Sequence, residues 1–112
     1  MNTNFMLDKL EAECDELILF IENDETLYNQ RIIPIVKNVQ RRLKRHDYDH
    51  DKAPKLWMYL VDAGAKKYHQ EHCSNSSKWH QIFYKELREN TAKILADKYF
   101  EEIVTQGGKM FD

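Results

Sequence analysis

The sequence predicts an all-α fold, a compact bundle of about four helices forming a single domain over residues 1–112. Three observations carry that expectation. Only three glycines and two prolines occur, too few for the turns of a sandwich or a barrel. Glu, Lys, Leu and Ala, all favourable in helix interiors, are plentiful. Apolar residues recur at three- and four-residue spacing over most of the chain. A domain of 112 residues buries about two thirds of its unfolded-chain surface, enough for one core.

The first helix is expected from about Phe5 to Glu22. Leu7, Leu10, Cys14, Leu17, Ile18 and Ile21 form its apolar face, and Asp8, Glu11 and Asp15 lie on the other side. Asn4 is placed as its N-cap, and the early acids suit the positive end of the helix dipole. Asn23-Asp24-Glu25-Thr26 then supplies a turn and a new cap.

The second helix buries Leu27, Tyr28, Ile32, Ile35, Val36, Val39 and Leu43. Pro34 sits inside this pattern, where it either kinks the helix or marks the first turn of a separate one. The apolar phase runs unbroken from Tyr28 to Leu43, which favours one helix kinked at Pro34. His46 to Lys52 breaks the pattern. Asp49 or Asp51 is expected to cap the third helix, whose first turn accommodates Pro54. There Trp57, Leu60, Val61, Gly64 and Tyr68 share a face. Gly64 mid-helix costs about 1 kcal/mol relative to Ala, which a close approach by a neighbouring helix would explain.

Cys73 to Ser77 reads as a polar linker. Beyond it, residues 78–105 form either one long helix or a short turn at Trp79–Phe83 followed by a helix from about Lys85. Leu87, Ile94, Leu95, Tyr99 and Ile103 are its expected core residues, and Gly107-Gly108 its stop. No apolar run reaches the length of a membrane span. The N-terminus lacks a basic lead and a cleavable apolar core, so no signal peptide is expected and a cytoplasmic location is. Cys14 and Cys73, the two cysteines, then read as free thiols, with Cys14 a small core hydrophobe.

Charge is distributed unevenly. Residues 1–30 hold eight acids against Lys9 alone, and residues 31–67 hold ten bases against four acids. An acidic first helix lying beside a basic second one in an antiparallel pair would account for this. Lys37, Gln40, Arg41, Lys44 and Arg45 are assigned to the face opposite Val36, Val39 and Leu43. The candidate binding residues are Lys37, Arg41, Arg42, Lys44, Arg45 and Tyr48, bases to neutralise anions and a tyrosine to stack. A solvated face welcomed by the helix C-terminal dipole explains the same cluster without a partner. Tyr59, Tyr84 and Phe100 fall off the core face, which suits a partner surface or a homodimer seam as readily as ordinary exposure.

Metal chemistry has a weaker footing. His46 and His50 are four apart and His69 and His72 three apart, with His80 beyond the linker, and Asp47, Asp49, Asp51 and Glu71 nearby. Such pairs share a helix face and can point at one ion. The two pairs flank the third helix at ends about 25 Å apart, too far for one site. His46-Asp47 is similar to the dipeptide of metal-dependent phosphohydrolases, but the remaining ligands are not evident and HExxH and CxxC spacings are absent. Cys73 beside His72 reads as a loop cysteine, and Glu101-Glu102 lies on a solvated face. No catalytic residue, metal or cofactor is therefore assigned.

Within LYNQRIIPIVKNVQRRLKRHDYDHDKAPKLWMYLVDAGAKKYHQEH, the recurring features are Leu27-Tyr28, Pro34, Asn38, Tyr48-Asp49, Lys55-Leu56-Trp57, Tyr59-Leu60-Val61-Asp62 and Ala65-Lys66-Lys67-Tyr68. Through them the chain resembles an uncharacterised family of small bacteriophage-encoded helical proteins, over about residues 27–103. The resemblance implies expression inside an infected bacterial cell and transfers no activity or catalytic residue. The function expected is that of a phage-type accessory protein that binds a host or phage protein to modulate replication, transcription or defence. A nucleic-acid-binding protein using the basic end of the second helix is the alternative. A metal-dependent hydrolase built on His46, Asp47 and His50 is more remote.

Overall fold

The structure, a computed structural model, describes the backbone of residues 2–72 and 81–106 and the side chains of residues 9–68, 70, 71 and 85–106. Four helices form a bundle. α1 is Asn2–Asn23. α2 spans residues 25–44 and is built of an α-helical turn at Glu25–Leu27, a π turn at Tyr28–Ile32 and an α-helix at Ile33–Lys44. A 3₁₀ turn at His50–Lys52 leads into α3, Ala53–His72. α4 is Gln81–Thr105. Among the described residues no helix is long and apolar enough to cross a membrane.

α1 begins earlier than expected, so Asn4 lies inside it and is not its N-cap. No Pro or Gly in Thr3 to Met6 stops the helix from extending over these residues. Asp24 alone separates α1 from α2. Its backbone is extended, and its Oδ1 accepts from the Leu27 N–H at 2.9 Å, capping α2.

Pro34 cannot donate to the carbonyl four residues back, and its ring crowds that carbonyl. α2 absorbs this by widening its preceding turn. The Ile33 N–H donates to the Tyr28 carbonyl five residues back, so the helix continues through the proline as a π turn.

α3 and α4 pack along each other, and α1 packs on both. Cys14, Leu17, Ile18 and Ile21 of α1 and Leu27, Ile32, Val36 and Val39 of α2 are buried, as are Trp57, Leu60, Val61 and Tyr68 of α3. The core of α4 is Leu87, Thr91, Ala92, Leu95, Ala96, Tyr99 and Ile103. Ile94 is 37% exposed and stands off that face, because Leu87, Thr91, Leu95 and Tyr99 define a row of four-residue steps that leaves it out. Of the two readings for residues 78–105, one continuous helix holds from Gln81 onward. Trp79, the Cys73–Ser77 linker and the Gly107-Gly108 stop lie outside the described residues.

Gly64 lies against α1. A Cβ there would come within 2.4 Å of Cγ1 and 2.7 Å of Cδ1 of Ile21. The missing side chain lets the two helices approach, as the sequence leads one to expect. The Trp57 and Tyr99 rings stack at 5.0 Å between α3 and α4. The Tyr99 hydroxyl then donates to Glu22 Oε2 of α1 at 2.7 Å, which ties three helices at one place.

Candidate functional site

The C-terminus of α2 is where the charged sequence turns into a structure. The His46 N–H donates to the Leu43 carbonyl at 3.2 Å and the Asp47 N–H to the Arg42 carbonyl at 2.8 Å. Together with φ 55° at His46, these bonds make a Schellman termination with histidine in the left-handed position that glycine favours. The backbone of His46-Asp47 thus closes a helix. His50 is engaged elsewhere, and no group of three or more His, Cys, Asp or Glu side chains able to hold a metal ion occurs among the described residues. The side chains of His69, His72 and His80 lie outside the description.

Asp49 is the residue that caps the next element. Its Oδ1 accepts from the Asp51 N–H at 3.0 Å and opens the 3₁₀ turn that feeds α3. On that turn His50 bridges two partners. Its Nδ1 lies 2.7 Å from the Tyr48 hydroxyl and its Nε2 2.7 Å from Asp97 Oδ1 of α4. Phe100, one turn further along α4, stacks on Tyr48 at 5.3 Å and meets the His50 ring at 4.7 Å. Phe100 therefore does not project towards a partner: the Tyr48–His50 corner covers it.

Proton placement in this relay follows from donor chemistry. An ionised carboxylate only accepts, so Nε2 donates to Asp97. In the neutral imidazole Nδ1 is then an acceptor for the Tyr48 hydroxyl. Burial, with Asp97 and Asp49 adding to it, pushes the Tyr48 phenol up to about 12. A tyrosine held protonated in this way is a poor nucleophile or base, and the relay works as a latch that fixes the turn to α4.

A groove of about 300 Å³ opens on the outer side of the same corner. Arg42 from α2, Lys52 from the 3₁₀ turn and Lys55 from α3 bring three cations to it, while Tyr48 and Leu56 give apolar wall and Asp47 and Asp49 give acceptors. Arg42 is oriented by its Nε, which donates to Asn38 Oδ1 at 2.8 Å. Sequence reasoning stops at Tyr48 and misses Lys52, Lys55 and Leu56. Their spacings of three and four along the start of α3 were the available signal.

Beyond Arg42, the expected binding residues Lys37, Arg41 and Lys44 of α2 and Arg45 at its C-cap are all exposed, and none makes an ion pair among the described residues. Gln40 does not join them. It is 7% exposed and belongs to the buried side, one position after Val39. Among the described residues the acids of α1 make no ion pair with this face, and neither does Asp24 between α1 and α2. Glu22 pairs with Lys98 of α4 at 2.6 Å, and Asp24 pairs with Lys67 of α3. Glu16 accepts from Tyr68 at 2.6 Å. The antiparallel acid–base pairing of the first two helices is thus replaced by attachment of α1 to α3 and α4. No family model, curated protein or solved structure gives a match to this chain.

Proposed function

We propose that this chain is a small phage-type accessory protein that works by binding. Its basic α2 face would engage an acidic surface of a host or phage protein and so modulate replication, transcription or defence in the cytoplasm of an infected cell. The observation that carries this reading is that Lys37, Arg41, Lys44 and Arg45 are exposed and make no ion pair among the described residues. The chain has acids enough to pair with them, yet Glu22, Asp24 and Asp62 are committed to Lys98, Lys67 and Arg88 instead. Exposed like charges on one face raise the rate of encounter with an oppositely charged partner. The protonated Tyr48 gives no reason to add a catalytic step.

A second reading has its own support. Tyr48 borders the basic face and Tyr59 is 77% exposed, an arrangement that also suits phosphates and stacked bases. One experiment separates the two. The full chain and a K37E/R41E/R45E variant are used as bait in bacterial lysate, with and without nuclease. A specific protein retained after nuclease and lost with the variant is the expected result. Material lost on nuclease treatment, with binding that falls steeply with salt, favours nucleic acid. Equal recovery by both baits would sink the use of this face.

A further inference from the structure

We infer that the groove at the α2–α3 corner is the recognition pocket of this face, and that it takes an acidic peptide segment carrying an apolar anchor residue. The inference rests on the proposed protein-binding reading and gives it a ligand class. Three cations reach the groove from three separate elements, Arg42, Lys52 and Lys55. With its Nε committed to Asn38, Arg42 keeps its terminal nitrogens as a fork for a carboxylate. Tyr48 is held in place by Phe100 and His50, so the wall it forms with Leu56 is set before a ligand arrives, which lowers the ordering cost of binding. The groove also adjoins the exposed bases of α2 through Arg42, so a peptide anchored there would continue across them.

The lining distinguishes a peptide from a nucleic acid. Asp47 and Asp49 stand in the groove among the cations. A DNA backbone offers only acceptors and negative charge to them, and an RNA backbone adds no donor but the 2′-hydroxyl beside each phosphate, so both meet these carboxylates with like charge. A peptide backbone carries N–H donors that these carboxylates can accept, while its acidic side chains meet the lysines and Arg42. Leu56 and Tyr48 then accommodate an apolar side chain between the charges.

The test is fluorescence anisotropy of the full chain with a short labelled peptide of glutamates around a central Leu-Trp pair, measured at two salt concentrations. K52E/K55E changes two exposed groove residues, and K37E/R45E makes the same charge change outside the groove. Circular dichroism checks that both variants keep the helical content. The groove variant is expected to weaken binding about tenfold or more, and the face variant only a few-fold. Replacing Leu-Trp by Gly-Gly in the peptide is expected to weaken binding at both salt concentrations. Equal losses in the two variants would overturn the pocket and leave the basic face as a diffuse attractor. Loss of affinity for a single-stranded oligonucleotide but not for the peptide on K52E/K55E would overturn the ligand class. If the lysate partner is retained by K52E/K55E and lost by K37E/R41E/R45E, the pocket fails while the face stands.

Discussion

His46 shows how a side chain that looks chemical can have a backbone job. A non-glycine residue in the left-handed region costs about 1 kcal/mol or more, and His is among the residues that tolerate it best. His46→Gly is therefore expected to raise stability by about 1 kcal/mol, seen as a rise in Tm of about 5 °C. His46→Val is expected to lower it, because a β-branched residue is strained at φ 55°. A Tm that falls in H46G would contradict the Schellman reading. Gly64 behaves in the opposite way. Ala would gain about 1 kcal/mol of helix propensity, but its Cβ would fall 2.4 Å from Cγ1 of Ile21, which is fully buried and cannot swing aside. Overpacking outweighs propensity, and Gly64→Ala is expected to destabilise by about 1–3 kcal/mol in denaturant melts. Thr91 Oγ1 is buried without a nitrogen or oxygen partner among the described residues, and its hydroxyl turns to the Cys14 thiol, whose pKa burial raises and this contact acts to lower. Thr91→Val removes a hydroxyl that has a weak sulfur acceptor beside it and is expected to stabilise by up to about 1 kcal/mol. Cys14, nearby in the core, has its thiol pushed up by burial and stays a hydrophobe that donates to the Leu87 carbonyl at 3.8 Å.

Helices here are set by their ends as much as by their faces. Asp24 both stops α1 and starts α2, and it also reaches across to Lys67 of α3. The hydrogen bond and charge of Lys67, with the Leu27 N–H, hold its carboxyl below the usual 3.8. A carboxyl depressed in the folded state contributes stability that is complete above the unfolded value and lost as pH falls through the folded one. Asn keeps the cap but cannot ionise. Asp24→Asn is thus expected to be less stable than the parent at neutral pH, with the difference closing as pH drops below about 3.8 in an acid titration of Tm. A difference that does not change with pH would mean that the ionisation of Asp24 and its pairing with Lys67 are not what matters. The same logic of ends explains α2. Its apolar phase survives Pro34 because a π turn adds one residue where the proline removes a donor. The sequence shows that Pro34 interrupts and that the pattern continues. The form of the interruption depends on Tyr28 and Ile33 and is not encoded in periodicity.

Across the bundle, local pattern and long-range pairing divide what can be read from sequence. While Gln40 is buried against expectation and Leu10, Tyr28, Ile35 and Leu43 are only partly buried, the four helices, most of the buried residues of α1 to α3 and the exposed bases of α2 follow from spacing. The groove does not, because it is made by three elements that meet only when α2, the 3₁₀ turn and α3 are folded. His50 meeting Asp97 is a contact between residues 47 apart in sequence, and Phe100 under Tyr48 is another such contact. Charge misled for a related reason. Residues 1–30 and 31–67 look complementary in sequence, but Glu22 of α1 takes its counter-charge from Lys98 of α4, and the pair that does join the two stretches, Asp24–Lys67, runs to α3 and not to the basic end of α2. That docking converges on Tyr99, which lies against Trp57 of α3 and donates to Glu22 of α1. Burial first, and then the hydrogen bond to the Glu22 carboxylate, raises the Tyr99 phenol far above the ordinary 10.0, and Tyr48 is pushed up to about 12. A phenol raised in the folded state gives stability that is complete below the unfolded value and lost as pH climbs through the folded one. Unfolding by alkali is therefore expected to begin above about pH 10 and to be cooperative, with tyrosinate absorbance from these two residues appearing together with loss of the helical circular dichroism signal. Tyr99→Phe keeps the ring against Trp57 and removes the ionising group, so its stability should fall less steeply over that range, while at neutral pH it loses the link to Glu22. If Tyr99→Phe unfolds along the same alkaline curve as the parent, the junction of the three helices is not what alkali breaks.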